Sequence, residues 1–145
     1  MKIKLLIITL MMALQVNAQL KPIAYKEGSQ KLNGFSGVPK KPLKQNPGIL
    51  ILPAWMGING HTKEVATKLN ELGYYAFVAD IYGEGNTPTT PQQAGEKSGY
   101  YKNNPELYQK RIKAALDALI ASGADKDNIV VIGYCFGGTG ALEAA

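Results

Sequence analysis

The chain has 145 residues, of which 46% are hydrophobic and 19% are charged, with 16 glycines, 8 prolines and a single cysteine. This is the balance of one ordinary globular domain, and it excludes a disordered chain, a collagen-like chain and a disulfide scaffold. The lysines are dispersed without the interleaved aromatic residues of a nucleic-acid surface, so no nucleic-acid partner is expected.

The first eighteen residues have the three-part pattern of a secretory signal peptide. Lys2 and Lys4 form a basic start, Leu5 to Leu14 is an apolar run, and residues 16–18 end in a small residue. The run is too short for a membrane span, which needs about 20 residues. We expect cleavage after Ala18, which leaves 127 residues with a net charge of +3. The mature chain is then secreted or periplasmic without a membrane anchor; a buried N-terminal helix is the alternative.

Two short alternating segments, Ile23 to Lys26 and Lys31 to Phe35, predict a marginal hairpin at the start of the mature chain. The continuous apolar run Ile49 to Leu52 predicts a strand buried on both faces. Apolar residues at helical spacing over 62–72 predict a helix that Gly73 ends.

A second buried strand is predicted over Tyr75 to Ala79, followed by a long loop from Gly83 to about Gly99. Asn104 is predicted to cap the next helix, which ends at Gly123. The run Ile129 to Ile132 predicts a third buried strand.

A tight turn over 133–138 and a helix from Thr139 complete the pattern. Alternating strands and helices with short apolar strands predict the α/β class, with a parallel sheet covered on both faces. Ligands in such sheets bind at the carboxyl ends of the strands, here the loops 53–60, 80–99 and 133–138.

Gly133, Cys135 and Gly137 fit a Gly-x-nucleophile-x-Gly pattern, with cysteine in place of the usual serine. The pattern forms a sharp strand-to-helix turn in which the missing Cβ atoms let the backbone approach closely. The following helix dipole favours an anion such as a thiolate. Cys135 is therefore the predicted nucleophile, with backbone N–H groups of Phe136 and Trp55 as oxyanion donors. An inert buried cysteine, a phosphate loop and a dinucleotide-binding turn are the alternatives.

Three blocks that follow the predicted strands carry a resemblance: Trp55-Met56-Gly57, Asp80-Ile81-Tyr82-Gly83 and Gly133-Tyr134-Cys135-Phe136-Gly137-Gly138. On these blocks the chain resembles the dienelactone hydrolase family of α/β-hydrolases from about Leu32 to Ala145. The resemblance implies a mostly parallel sheet with helices on both faces. It also implies hydrolysis of a small-molecule ester or lactone through a cysteine acyl-enzyme, with no cofactor and no metal. Cys135 matches the nucleophile, and Trp55 and Phe136 match the residues that supply the oxyanion donors.

The chain departs from the family pattern in three places. Ala54 stands where the family carries a Glu beside the thiol, and Glu84 stands near the Arg that holds the substrate carboxylate. The family's triad Asp and His lie beyond Ala145. Residues 19–145 are therefore expected to be the N-terminal part of a single α/β-hydrolase domain. As a truncated chain, they are expected to be inactive alone and poorly soluble.

The remaining polar residues at the strand ends have a structural interpretation as well as a catalytic one. His61, the only histidine, is expected to face solvent at the start of its helix, and Asp80 to cap its own loop. Tyr82, Tyr100 and Tyr101 either line a pocket under the long loop or lie on an ordinary surface. The functional alternative is a non-catalytic binding protein that retains the fold.

Overall fold

A computed structural model describes residues 20–145, so the predicted signal peptide lies outside the described residues. One five-stranded sheet has the strand order β1-β2-β4-β3-β5. The elements in chain order are β1 (Lys21–Glu27), β2 (Gln30–Gly37), β3 (Gly48–Leu52), α1 (Gly60–Glu71), β4 (Tyr75–Val78), α2 (Pro91–Asn103), α3 (Pro105–Ala121), β5 (Ile129–Gly133) and α4 (Phe136–Glu143). Within this part of the chain, no helix is long and apolar enough to cross a membrane.

The sheet is mixed. Strand β3 runs parallel to β4 and to β5, with Ile49 opposite both Ala76 and Val130. The predicted hairpin is confirmed as β1 and β2, and β2 continues the sheet by antiparallel pairing with β4. Because β3, β4 and β5 are parallel, their carboxyl ends meet at one edge of the sheet, where a site is expected.

Alternate residues of the central strands face opposite layers, as the two-residue period of a strand requires. On one face, α1 covers a cluster that contains Ile51, Ala66 and Val78. On the other face, α3 covers a larger cluster that contains Leu50 and Phe77. The prediction of helices on both faces is therefore confirmed.

The predicted long loop after β4 is wrong in its second half, because residues 91–103 form α2. The side chain of Thr90 accepts a hydrogen bond from the backbone N–H of Gln93, and Pro91 occupies the first turn. Both are ordinary signals for a helix start. The helix has few apolar residues, so it lacks the hydrophobic periodicity that identified the other helices.

Asn104 does not cap α3 through its side chain, contrary to the prediction. Its side-chain amide instead donates to the carbonyl of Tyr100, at the end of α2. Since Pro105 has no N–H, the first turn of α3 has one donor fewer to satisfy. Asn104 therefore joins the end of α2 to the start of α3.

Strand β5 is less buried than predicted. It is an edge strand of the described sheet, so Val130 is 59% exposed and the rest of the strand is half-buried. The following helix begins at Phe136 rather than at Thr139, which shortens the turn to Tyr134 and Cys135. Strand β5 therefore forms an open apolar edge of the described sheet, beside the turn that contains Tyr134 and Cys135.

Residues 20–145 expressed alone are expected to associate, because an open apolar edge accepts further strands. The substitution Val130→Lys should raise the soluble monomer fraction, since its side chain is already exposed and the charge opposes strand addition. Val38→Lys is the matched control, because Val38 is 57% exposed but lies away from this edge. Size-exclusion chromatography measures the fractions. A monomeric wild-type fragment with a sharp cooperative melt would contradict the prediction.

Candidate active site

Cys135 lies in the two-residue turn between β5 and α4. Its backbone has φ of +51° and ψ of −110°, a combination that non-glycine residues seldom adopt. Such a conformation costs about 1–3 kcal/mol and persists only where the surrounding structure enforces it. The side chain is an exposed free thiol. Among the described residues Cys135 is therefore not buried, contrary to the interpretation of a buried cysteine, and the reactivity of its thiol stays a prediction.

The two glycines of the turn let neighbouring backbone segments approach closely, as their spacing predicts. A Cβ on Gly133 would overlap the backbone of Gly137, and a Cβ on Gly137 would overlap the backbone of Leu52 and Pro53. Gly133 therefore permits the turn itself, whereas Gly137 lets α4 cross the end of β3. A hydrogen bond of 3.2 Å from the Tyr134 N–H to the Leu52 carbonyl joins the same two segments.

Trp55 lies in the loop that follows β3, on the edge of the sheet that carries Cys135. Its side chain is 39% exposed. Its carbonyl oxygen accepts a hydrogen bond of 2.7 Å from the hydroxyl of Tyr82. Among the described residues, the N–H groups of Trp55 and Phe136 donate to no backbone carbonyl. Both are thus available as donors, the property that an oxyanion site requires.

The ring of Phe136 lies between two tyrosine rings. It stacks on Tyr108 at 4.8 Å between ring centroids with 7° between the planes, and on Tyr82 at 6.0 Å with 6°. The hydroxyl of Tyr108 donates a hydrogen bond of 3.1 Å to the Phe136 carbonyl. Burial raises the pKa of the Tyr82 and Tyr108 phenols well above the ordinary value of a tyrosine, so both hydroxyls remain hydrogen-bond donors.

Asp80 has a structural role, which confirms the prediction that it caps its own loop. Its two carboxylate oxygens accept hydrogen bonds of 2.9 Å from the backbone N–H groups of Gly83 and Asn33. The hydroxyl of Tyr25 bonds both the carbonyl and the N–H of Asp80. The residue therefore fastens the loop after β4 to the hairpin.

His61 is exposed, as expected, but it lies near the turn. Its ring packs edge-on against Tyr134, the residue before Cys135, with 5.2 Å between the ring centroids. The contact makes His61 a neighbour of the site without assigning it a chemical role.

A cavity of about 250 Å³ opens at the same edge of the sheet, between β2 and the loop after β4. Tyr82 lines it, together with Asp80, Glu84 and Lys63, whereas Tyr100 and Tyr101 do not. None of Cys135, Trp55 and Phe136 lines it. Within residues 20–145, no group of three His, Cys, Asp or Glu side chains is placed to hold a metal ion.

The sheet with helices on both faces and the turn at Cys135 identify the class of protein. The chain has the α/β-hydrolase fold. Over 88% of its length it is similar to the solved structure m3DLH, at 32% identity and a TM-score of 0.81. It is also similar to a dienelactone hydrolase-like promiscuous phosphotriesterase from metagenomic libraries, at 30% identity and a TM-score of 0.78 over 88% of the chain. The chain covers 53% of each of these two structures.

The dienelactone hydrolase family model matches residues 32–145, and the chain belongs to this family. A curated relative from Bradyrhizobium sp, named probable 2-oxo-3-(5-oxofuran-2-ylidene)propanoate lactonase, is 30% identical over 100 residues. That match covers 68% of this chain and 40% of the relative. The chain therefore spans only about half of the structures, and less than half of the curated relative, that it matches.

One residue at the site was missed by the sequence interpretation. Tyr108 lies in α3 at helical spacing from Ile112 and Ala115, so it shows only the pattern of a buried helix face. Nothing in the local sequence indicates that its hydroxyl reaches the Phe136 carbonyl, because the two residues are 28 positions apart.

Gly137→Ala should lower the free energy of unfolding of the protein by about 2–3 kcal/mol, because the new Cβ has no space. Gly99→Ala is the matched control, since a Cβ there meets nothing within 4 Å. In helix α2 this control should stabilise the protein by about 0.5 kcal/mol. Urea denaturation measures both values. Equal effects of the two substitutions would show that Gly137 is not sterically required.

Proposed function

We propose that the protein is an exported hydrolase that cleaves a small-molecule ester or lactone through a cysteine acyl-enzyme. The observation that carries the proposal is the exposed thiol of Cys135, held on a strained turn at the start of α4. Family membership supports hydrolysis as the reaction class. The pattern of residues 1–18 supports export, although it lies outside the described residues.

In the proposed reaction, the Cys135 thiolate attacks the carbonyl carbon of the substrate. The C=O electron pair moves to oxygen, and the N–H groups of Trp55 and Phe136 donate hydrogen bonds to this oxyanion. Collapse of the intermediate breaks the C–O bond, and the leaving alcohol takes up a proton. Water then cleaves the thioester, releases the carboxylic acid and restores the thiol. The proton that the leaving alcohol takes up is the one that the Cys135 thiol gives to a general base before the attack, and the water supplies the proton that restores the thiol.

The reaction also needs a general base and the group that orients it. Asp80 does not fit this role because its carboxylate oxygens already accept two backbone hydrogen bonds. The aligned part of this chain covers only 53% of each of the two solved structures. From its resemblance to the family, the triad Asp and His are expected after the Cys135 turn. We therefore propose that the full-length protein supplies both groups outside the described residues. Residues 20–145 alone are then inactive.

Cys135→Ala in the full-length protein should lower the hydrolysis of p-nitrophenyl acetate at least about a thousandfold, because the nucleophile is removed. Cys135→Ser should retain more activity than Cys135→Ala, because a hydroxyl on the same turn can still attack. Wild-type Cys135 should also react with iodoacetamide below pH 8 faster than N-acetylcysteine does. Unchanged hydrolysis by Cys135→Ala would disprove the nucleophile. An unreactive thiol would favour a non-catalytic binding protein.

Glu84 further restricts the proposed substrate. It is exposed and stands near the position at which, by the family resemblance, an Arg would hold a substrate carboxylate, so its negative charge disfavours a carboxylate-bearing substrate. We therefore propose that the protein prefers neutral esters and lactones.

Glu84→Gln should raise kcat/KM for a lactone that carries a carboxylate about threefold to fivefold, because one repulsion of about 1 kcal/mol is removed. A neutral lactone of the same ring size is the control and should be unaffected. High salt should reduce the difference between wild type and variant for the anionic lactone. Equal gains for both lactones would show that the charge of Glu84 does not select the substrate.

A further inference from the structure

We infer that the hydroxyl groups of Tyr82 and Tyr108 position the two backbone segments that supply the oxyanion donors. The inference rests on the proposed function, because it concerns the same Trp55 and Phe136 N–H groups. It adds two positioning residues, which act through the backbone carbonyls of Trp55 and Phe136.

Each donor residue is held through its own carbonyl group by a tyrosine from a different element. Tyr82, after β4, bonds the Trp55 carbonyl at 2.7 Å, and Tyr108, from α3, bonds the Phe136 carbonyl at 3.1 Å. The two hydrogen bonds span 27 and 28 residues of sequence. Neither therefore belongs to a local turn or to a helix.

The ring stack connects the two tyrosines with each other. The Phe136 ring lies between the rings of Tyr82 and Tyr108, nearly parallel to both. Tyr108 is fully buried, and Phe136 is only 2% exposed. Because close-packed rings move little, the stack holds Tyr82 beside the start of α4, and the Tyr82 hydroxyl in turn bonds the Trp55 carbonyl in the loop after β3.

The Trp55 segment depends most on this arrangement. It lies outside the strand ladders, where the hydrogen bond from the Gly57 N–H to the Ala54 carbonyl closes a turn around it. The Tyr82 hydroxyl therefore joins that turn to the rest of the site. The Phe136 carbonyl lies in the first turn of α4, where the Tyr108 hydroxyl adds a bond from outside the helix.

A donor to an oxyanion is effective only when it is already aimed at the developing charge. Loss of one complete donor costs about a hundredfold to a thousandfold in rate. Loss of a hydroxyl that only aims the donor should cost less, about tenfold. The effect should fall on kcat rather than on KM, because the oxyanion exists only after the attack.

The test uses Tyr82→Phe and Tyr108→Phe in the full-length protein, because each removes one hydroxyl and retains the ring stack. Tyr25→Phe is the matched control. It also removes a buried hydroxyl that donates to a backbone carbonyl, but that carbonyl belongs to Asp80. Two rates are measured for each variant: formation of the acyl-enzyme from p-nitrophenyl acetate, and alkylation of Cys135 by iodoacetamide.

The two reagents separate positioning from folding. The ester passes through an oxyanion, whereas alkylation displaces iodide without forming one. We expect Tyr82→Phe and Tyr108→Phe to acylate about tenfold more slowly and to alkylate within twofold of wild type. Tyr25→Phe should retain both rates, and unfolding midpoints of the three variants should show comparable losses.

Two results would overturn the inference without affecting the proposed function. Acylation rates equal to that of Tyr25→Phe would show that the hydroxyls do not aim the donors. A parallel fall in acylation and alkylation would show that the tyrosines only keep the Cys135 turn intact. Cys135→Ala is measured beside them, because hydrolysis retained by that variant would instead disprove the nucleophile itself.

Discussion

The close approach of α4 to the end of β3 is the contact on which the rest of the site depends. It requires Gly137, because any larger residue would overlap the backbone of Leu52 and Pro53. The approach leaves only two residues, Tyr134 and Cys135, to turn the chain from strand into helix. The backbone of Cys135 must then take a left-handed conformation, which exposes its side chain. An accessible thiol is thus a consequence of backbone packing.

Two layers of interactions support this turn. The parallel pairing of β3 with β4 and β5 brings three strand ends to one edge of the sheet. Above that edge, Tyr82 and Tyr108 hold the neighbouring backbone segments through their hydroxyls and enclose Phe136 between their rings. Asp80 fastens the loop that carries Tyr82 to the hairpin. The sheet therefore determines where the site lies, and the buried tyrosines hold the backbone segments around it.

The parts of the fold that sequence patterns missed have weak or ambiguous local signals. Helix α2 has few apolar residues, so the Thr90 cap and Pro91 were its only signals. Asn104 matched a capping pattern, but its amide bonds the end of the preceding helix instead. The run Ile129 to Ile132 indicates a strand but not its position at the edge of the described sheet. A strand's position depends on pairing with distant segments, and local composition does not encode that pairing.

By itself, the sequence determined the α/β class, the central strands and the turn around Cys135. Each depends on a local pattern: apolar runs for buried strands, helical spacing for α1 and α3, and glycines two residues before and after the cysteine. Only the tertiary structure decided which groups surround that turn. Tyr108 meets Phe136 and Tyr82 meets Trp55 across at least 27 residues. Hydrogen bonds between distant segments follow from how layers pack, and that packing leaves no periodic mark in the sequence.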